Sequence, residues 1–382
     1  LSRSLIYLIS EDWFFLSHFM DRAKAAKEAG FQVHVVTRVG TRGEEIRAAG
    51  FNLIHLDMRR ASLGPFQLLR EIAEVARIYR RTAPDIVHHI ALRPIIVGSF
   101  AAFLARIGRV VNAPVGMGFV FSSDTIKARL LRPFVVKALK IALHGRRKIA
   151  IVENDDDRTE LVERKLVKPD KLVVIEGAGV DLNAFPYVKR QDADGIVVML
   201  AARLLKEKGV REFVGAVEIL QRECLNCRFV LVGEPDPDNP GKIDDKELKD
   251  WQDRNLVDWQ GRSNNMTETI LQADIFCLPS YREGLPKVLL EAGASGCAII
   301  TTDVPGCRQI VTHMQTGLLV PPRDAVFLAG AIRTLVRDGS LRLSLADAAR
   351  KKVESCFSNK IVNERTLSVY RHMISEDIDN RS

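Results

Sequence analysis

No uninterrupted apolar stretch approaches the ~18 residues that a membrane span needs. The longest, residues 94–105, is bounded by Arg93 and Arg106 and interrupted by Gly98 and Ser99. The opening LSRSLIYLIS is too short in its apolar part for a signal peptide and reads as a first strand. Cysteine is missing from the whole first half. Of the six in the second half, Cys224 and Cys227 form a lone C-x-x-C with no second pair or histidine cluster at zinc spacing. Reduced packing cysteines in a cytosolic protein are therefore expected. No repeat of solenoid period is present. No helix-turn-helix, RNP or zinc motif supports a nucleic-acid partner. Asp-x-Asp does occur and could suggest a metal, but two of its occurrences read otherwise. Asp155 and Asp157 are expected to open a helix, where acids serve as caps, and Asp236 and Asp238 lie in a proline-rich turn.

What is present is a chain of 382 residues, 47% hydrophobic and 27% charged. At roughly 150 residues per domain it holds two or three domains. The net charge of +8 is uneven. Residues 1–175 carry 29 Lys and Arg against 18 acids, and the remainder carries 27 against 30. A basic first half suits an anionic partner: nucleic acid, a phosphorylated substrate or an acidic membrane surface.

Short aliphatic runs alternate with helical patterns throughout. Strands are predicted at 5–9, 32–37, 53–56, 86–89, 110–113, 149–153 and 172–176, with helices between them, such as 16–29 and 65–80. After a Gly-, Asp-, Asn- and Pro-rich stretch at 177–195, strands resume at 196–201, 228–232, 257–260, 275–278, 298–301 and 317–320. The alternation predicts an α/β protein with two doubly wound parallel sheets facing a cleft, and ligands beyond the carboxyl ends of the strands.

One segment asks for chemistry. In YREGLPKVLLEAG, Glu283 precedes Pro286, a suitable first helical residue, and Glu291 follows inside the helix, roughly 8 Å along its axis. A ligand at the helix mouth could reach both carboxylates. The first-turn N–H groups and the helix dipole favour an anion at the same place. A diphosphate carrying a sugar at each end fits: amides for phosphates, carboxylates for hydroxyls.

These residues resemble the donor site of the retaining glycosyltransferases of family 4, which have the GT-B fold. REGLPKVLLEA carries the Glu-x7-Glu pattern, and AARLLKEKG resembles the family's Arg-x4-Lys phosphate loop. ADIFCLPSYREGLP, TTDVPGCRQIV, ENDDDR and GAGVDLNAF follow in family order, and GMGFVFSS looks like the branch that builds capsule and O-antigen. The resemblance covers nearly the whole chain. It implies an acceptor- and membrane-facing domain at 1–180, a nucleotide-sugar domain at 181–360, and a helix at 361–382 returning to the first. Arg203 and Lys208 would neutralise the diphosphate, with no metal and no cofactor beyond a UDP-sugar. Glu291 would bond the ribose and Glu283 the donor sugar. The amides of Gly284, Leu285 and Lys287 would meet phosphate and sugar, and Gly233 and Arg262 would flank the nucleotide. The leaving phosphate itself would take the acceptor's proton, so Glu283 is not assigned as a covalent nucleophile.

Departures from the pattern matter on the acceptor side. The first loop reads SEDWFFLSHF where many relatives have Gly-Gly; Glu11, Asp12 and His18 could face the cleft. Only one of His88 and His89 can do so. Gly116, Met117, Gly118 and Asn154 are further candidates. Val115 stands where the family often has a His thought to bond the donor's 6-hydroxyl, which implies a 6-deoxy N-acetylhexosamine. Two segments, 58–81 and 125–148, mix Leu, Val and Phe with Lys and Arg as an interfacial helix does. The implied acceptor is a saccharide on undecaprenyl diphosphate, and the implied location is cytoplasmic, on the inner face of the bacterial inner membrane. A nucleotide-sugar 2-epimerase and a non-catalytic nucleotide-binding scaffold are the rival readings; intact Arg203, Lys208, Glu283 and Glu291 speak against both.

Overall fold

The computed structural model describes residues 3–58, 64–115, 126–190, 195–223, 225–237 and 239–375. The chain divides into two compact units, Leu1–Ala178 with Asn359–Ser382, and Gly179–Ser358.

The first unit holds seven strands: β1 Arg3–Glu11, β2 Phe31–Arg38, β3 Asn52–His55, β4 Ile86–Ile90, β5 Val110–Ala113, β6 Lys148–Val152 and β7 Leu172–Val174. They pair in parallel in the order β3-β2-β1-β4-β5-β6-β7. The second unit holds six: β8 Ile196–Ala201, β9 Cys227–Val232, β10 Asp258–Trp259, β11 Ile275–Leu278, β12 Ala298–Thr302 and β13 Leu318–Val320. These are also parallel, in the order β10-β9-β8-β11-β12-β13. In both sheets the strand order reverses beside the first strand, between β1 and β4 and between β8 and β11. The crevice at that reversal is where doubly wound sheets bind ligands.

Helices cover both faces, so the central strands are apolar on both sides. Leu5, Tyr7 and Ile9 of β1 enter one core, while Ile6 and Leu8 enter the other. In β8, Ile196, Val198 and Leu200 face one way and Val197, Met199 and Ala201 the other. Each fully buried Val, Leu or Ile contributes about 1.5–3 kcal/mol, which fixes the register of these strands and the loops leaving them.

Several boundaries differ from the sequence expectation. The predicted helix 16–29 is two helices, Asp12–His18 and Met20–Glu28. They break at Phe19, whose buried ring packs on His88 and under the Arg22 guanidinium. The edge strands expected at 257–260 and 172–176 shrink to Asp258–Trp259 and Leu172–Val174, because an edge strand is paired on one side only. The polar stretch 177–195 is not a free linker. Val180 and Phe185 are buried, and the Val180 N–H donates to the Phe357 carbonyl at 3.0 Å. The second unit thus closes its own two ends together, and the chain leaves it at Ser358. The helix Asn359–Ser375 belongs to the first unit, where the Tyr370 and Tyr7 hydroxyls lie 2.9 Å apart in the core.

Candidate active site

The site is built from two loops at the reversal of the second sheet. Beyond β8, the Ala202 N–H still donates to the Val232 carbonyl, and one 3-10 turn, Lys206–Lys208, presents Lys208. Gly209 then adopts φ +72; a Cβ there would sit 2.0 Å from the Pro279 carbonyl oxygen, so only glycine lets this loop meet the loop after β11. The Tyr281 N–H donates to the Glu207 carbonyl at 2.8 Å and stitches the two loops together. The Tyr281 hydroxyl donates to Glu212 at 2.6 Å, and the Arg323 guanidinium lies 4.7 Å from the ring centroid.

This stitching brings Lys208 Nζ to 2.5 Å from Glu283 Oε1. The Ser280 hydroxyl donates to the same oxygen at 2.7 Å. Thr301 and Thr302 at the end of β12 donate in turn to the carbonyls of Leu278 and Ser280. Gly306 (φ +67) leans on this loop so closely that a Cβ would lie 2.1 Å from the Gly284 carbonyl oxygen. Glu283 is therefore held from three sides before any ligand arrives, the preorganisation that binding and transition-state stabilisation need.

The helix after this loop is Lys287–Ala294. Pro286 is its N-cap residue (φ −72, ψ 108), not its first helical residue as the sequence suggested. Leu285 is buried in the core behind the loop. Glu291 is buried on the helix, and burial pushes its carboxyl above the ordinary range, an effect that Lys287 Nζ at 3.6 Å partly offsets. Beyond Lys287 the helix is apolar except at this position, where it keeps a costly carboxylate, as a ligand site would.

Arg203 sits on the rim, where it pairs with Asp236 at 2.9 Å. The proline-rich turn is thus not merely solvated, as the sequence suggested: it supplies a partner for the phosphate-loop arginine. Gly233 (φ +136) ends β9 so close to β8 that a Cβ would lie 1.8 Å from the Ala202 carbonyl oxygen. The Gly233 carbonyl accepts from Trp259 Nε1 at 2.8 Å, and exposed Arg262 follows the end of β10. The loops after β8, β9, β10 and β11 thus converge on one edge.

A sequence model of glycosyl transferases group 1 matches residues 185–352, and one of glycosyl transferase 4-like proteins matches residues 4–153. The chain belongs to the retaining glycosyltransferases of family 4, with the GT-B fold. This glycosyltransferase is 29% identical to the N,N'-diacetylbacillosaminyl-diphospho-undecaprenol alpha-1,3-N-acetylgalactosaminyltransferase of Campylobacter jejuni, over 94% of this chain and 96% of that protein. It is 24% identical to the capsular polysaccharide biosynthesis glycosyltransferase CapM of Staphylococcus aureus, over 92% of each. Anabaena HepE in complex with UDP-glucose shares the fold, with a TM-score of 0.76 at 18% identity over 97% of this chain and 99% of that one.

In the first unit of the glycosyltransferase, the sequence candidates are mostly engaged elsewhere. Glu11 forms a bidentate pair with Arg38, and Asp12 accepts from the Gly40 N–H at 2.6 Å. His18 is half-buried, with Nδ1 2.6 Å from the Ser17 hydroxyl and its ring 4.4 Å from that of Phe14. Neither His88 nor His89 is accessible. They lie on opposite faces of β4, His88 bonded to Tyr370 at 2.7 Å, His89 to Tyr79 at 3.0 Å and to Asn112 at 2.9 Å. Burial keeps both imidazoles neutral, His89 down to about 3. Asn154 is the buried N-cap of the helix Asp155–Glu163 and accepts from the Asp157 N–H at 2.7 Å; the cap is this Asn, not an acid. Val115 is half-buried just past β5. Gly116, Met117 and Gly118 lie outside the described residues.

Sequence reasoning missed Ser280, Tyr281, Asp236, Gly209 and Gly306. Gly209 and Gly306 had a visible signal, each closing a loop directly after a strand; the side-chain partners had none.

Proposed function

We propose that this glycosyltransferase moves an N-acetylhexosamine, or a 6-deoxy relative, from a UDP-sugar to a saccharide on undecaprenyl diphosphate, at the inner face of a bacterial inner membrane. The observation that carries the reading is the Lys208–Glu283 contact beside buried Glu291 at the reversal of the second sheet. Lys208 offers three donors and Arg203 a planar fork, both suited to diphosphate oxygens. The helix mouth behind Glu283 adds N–H groups and a favourable dipole. Glu291, deeper on that helix, accepts from ribose hydroxyls, and Glu283 from hydroxyls of the donor sugar. Gly284, Leu285 and Lys287 contribute amides, and Gly233 and Arg262 flank the nucleotide.

In the reaction, the bond from the sugar's anomeric carbon to the diphosphate oxygen breaks. The bond to the acceptor oxygen forms on the same face, and the acceptor's proton passes to the departing phosphate. Charge accumulates on that phosphate, which is where Lys208 and Arg203 act. The two cations and the helix mouth replace the electrostatic work of a divalent metal.

The names of the Campylobacter and Staphylococcus relatives support a lipid-linked acceptor and a place in surface polysaccharide synthesis. Val115 supports a donor without a 6-hydroxyl, since a buried hydroxyl facing a valine would lose about 1–3 kcal/mol. Purified protein should be offered UDP-, GDP- and ADP-sugars, including UDP pairs that differ only at carbon 6, with melting temperature and sugar transfer as readouts. Stabilisation by a UDP-N-acetylhexosamine, with transfer to a polyprenyl-diphosphate saccharide, is expected. Conversion of the UDP-sugar to its 2-epimer without transfer would replace this reading with an epimerase. A higher kcat/KM for the 6-hydroxy sugar would remove the Val115 argument alone.

A further inference from the structure

Three helices, Pro65–Thr82, Leu92–Ala105 and Ile126–Leu143, pack side by side as an outer layer of the first unit. Their inner faces bury Val75, Tyr79, Val97, Ala101 and Leu139 against the sheet. Their outer faces mix exposed apolar side chains with Lys and Arg. Of the twelve large apolar side chains that stand exposed among the described residues, six lie on these three helices, so the exposure is concentrated and not scattered. Phe103 (79% exposed) and Leu104 (50% exposed) stand adjacent in the last turn of the middle helix, with Phe134 (73% exposed) on its neighbour.

The charge on the second and third of these helices has one sign. Between Asp85 and Glu153 the chain carries eleven Lys and Arg and a single acid, Asp124. The helices Leu92–Ala105 and Ile126–Leu143 contain no Asp or Glu. Cations close round the Phe103–Leu104 corner in particular. Arg80 donates to the Leu104 carbonyl at 3.0 Å. Arg106 caps the helix at φ +58, a conformation where glycine is the usual residue. Arg147 lies against the turn that follows, 3.7 Å from where a Gly108 Cβ would be, and its carbonyl accepts from the Val110 N–H.

We infer that this corner is a membrane wedge: Phe103 and Leu104 enter the acyl boundary of an anionic bilayer while Arg80, Arg106 and Arg147 meet the lipid phosphates. The inference deepens the membrane reading above by assigning the surface that makes the contact. A protein groove would have to match a convex apolar corner ringed by cations. A lipid interface takes an apolar tip and a ring of cations at the depths where each is stable.

The full-length protein should be sedimented with phosphatidylglycerol-containing and with purely phosphatidylcholine vesicles. Wild type should prefer the anionic vesicles. The double variant Phe103→Ser, Leu104→Ser should bind them about tenfold more weakly or worse, with melting temperature and UDP-sugar stabilisation unchanged. The control pair Val326→Ser, Phe327→Ser, equally exposed but on the second unit, should bind as wild type. Phe103→Trp, read against the wild-type tryptophan background, should gain fluorescence that lipids with brominated chains quench. This variant also tests the wedge if the double variant fails to fold. Undiminished binding of the double variant, equal loss in the control pair, no lipid preference in wild type, or no quenching at position 103 would each overturn the proposal. UDP-dependent stabilisation reads the donor site separately, so its loss with vesicle binding intact supports the wedge and counts against the proposed function.

Discussion

The two units use one scaffold for different ends. Each has a parallel sheet whose order reverses beside its first strand. At the reversal of the second unit, Lys208, Glu283 and Glu291 gather within and behind two loops joined backbone to backbone. At the reversal of the first unit, the acids that follow β1 are spent on structure: Glu11 on Arg38, Asp12 on the Gly40 N–H. The histidines of β4 are buried neutral in hydrogen-bonded pairs. Both units bury charge, but the first pairs Glu11 and Asp12 within its own fold, whereas the second sets Glu291 on the helix behind the two loops, where its charge is strongly felt. Topology supplies a crevice in both cases, but chemistry follows only where the loops hold ions that the fold itself does not use.

The largest expected effect breaks this comparison from the second unit. Lys208→Ala and Arg203→Ala should each lower the transfer rate by about 10²-fold or more, through lost stabilisation of the departing phosphate. Turnover near wild type in both would remove the site from these loops. Next comes Gly209→Ala, whose Cβ would fall 2.0 Å from the Pro279 carbonyl oxygen at φ +72. Left-handed backbone alone costs about 1–2 kcal/mol. The melting temperature should fall by several degrees and activity with it, whereas Gly195→Ala, also at positive φ but with open space around it, should lower the melting temperature and keep activity.

A smaller effect separates binding from stability. Burial raises the Glu291 carboxyl above its ordinary value. The folded protein therefore holds a proton there over a pH window in which the unfolded chain has released it. Stability falls as pH rises through that window, and the ionised carboxylate is a net cost at neutral pH. Glu291→Gln should accordingly leave the ligand-free protein as stable or slightly more stable at neutral pH, and abolish most of the stabilisation by UDP-sugar. A variant less stable than wild type without ligand, yet fully stabilised by UDP-sugar, would make Glu291 a structural residue. The smallest expected effect is that of EDTA: turnover should be unchanged, and a loss reversed by Mg²⁺ or Mn²⁺ would transfer the diphosphate to a metal.

The alternation of apolar runs made both sheets legible in the sequence, because the central strands are buried on two faces and read as continuous aliphatic stretches. Arg203, Lys208, Glu283 and Glu291 were legible as a pattern, and the structure brings Lys208 against Glu283 from 75 residues away. What the sequence hid depends on contacts between distant loops. Nothing near Asp236 announces that it pairs with Arg203, and nothing near Ser280 announces that its hydroxyl holds Glu283. The break at Phe19 was hidden for the same reason, since a helical pattern runs straight through it while its ring is drawn under Arg22. In the first unit, the residue types that signal chemistry, His88, His89 and Asn154, serve packing and capping. Composition cannot distinguish a buried neutral histidine from a catalytic one.

In the proposed function, the UDP part of the donor is held by the second unit. Calorimetric titration of UDP into wild type, Lys208→Ala and His18→Ala, each checked for wild-type melting behaviour, tests it most directly. Binding should be at least about tenfold weaker in Lys208→Ala and within about twofold of wild type in His18→Ala. Wild-type affinity in Lys208→Ala, or a loss in His18→Ala as large as that expected for Lys208→Ala, would contradict it.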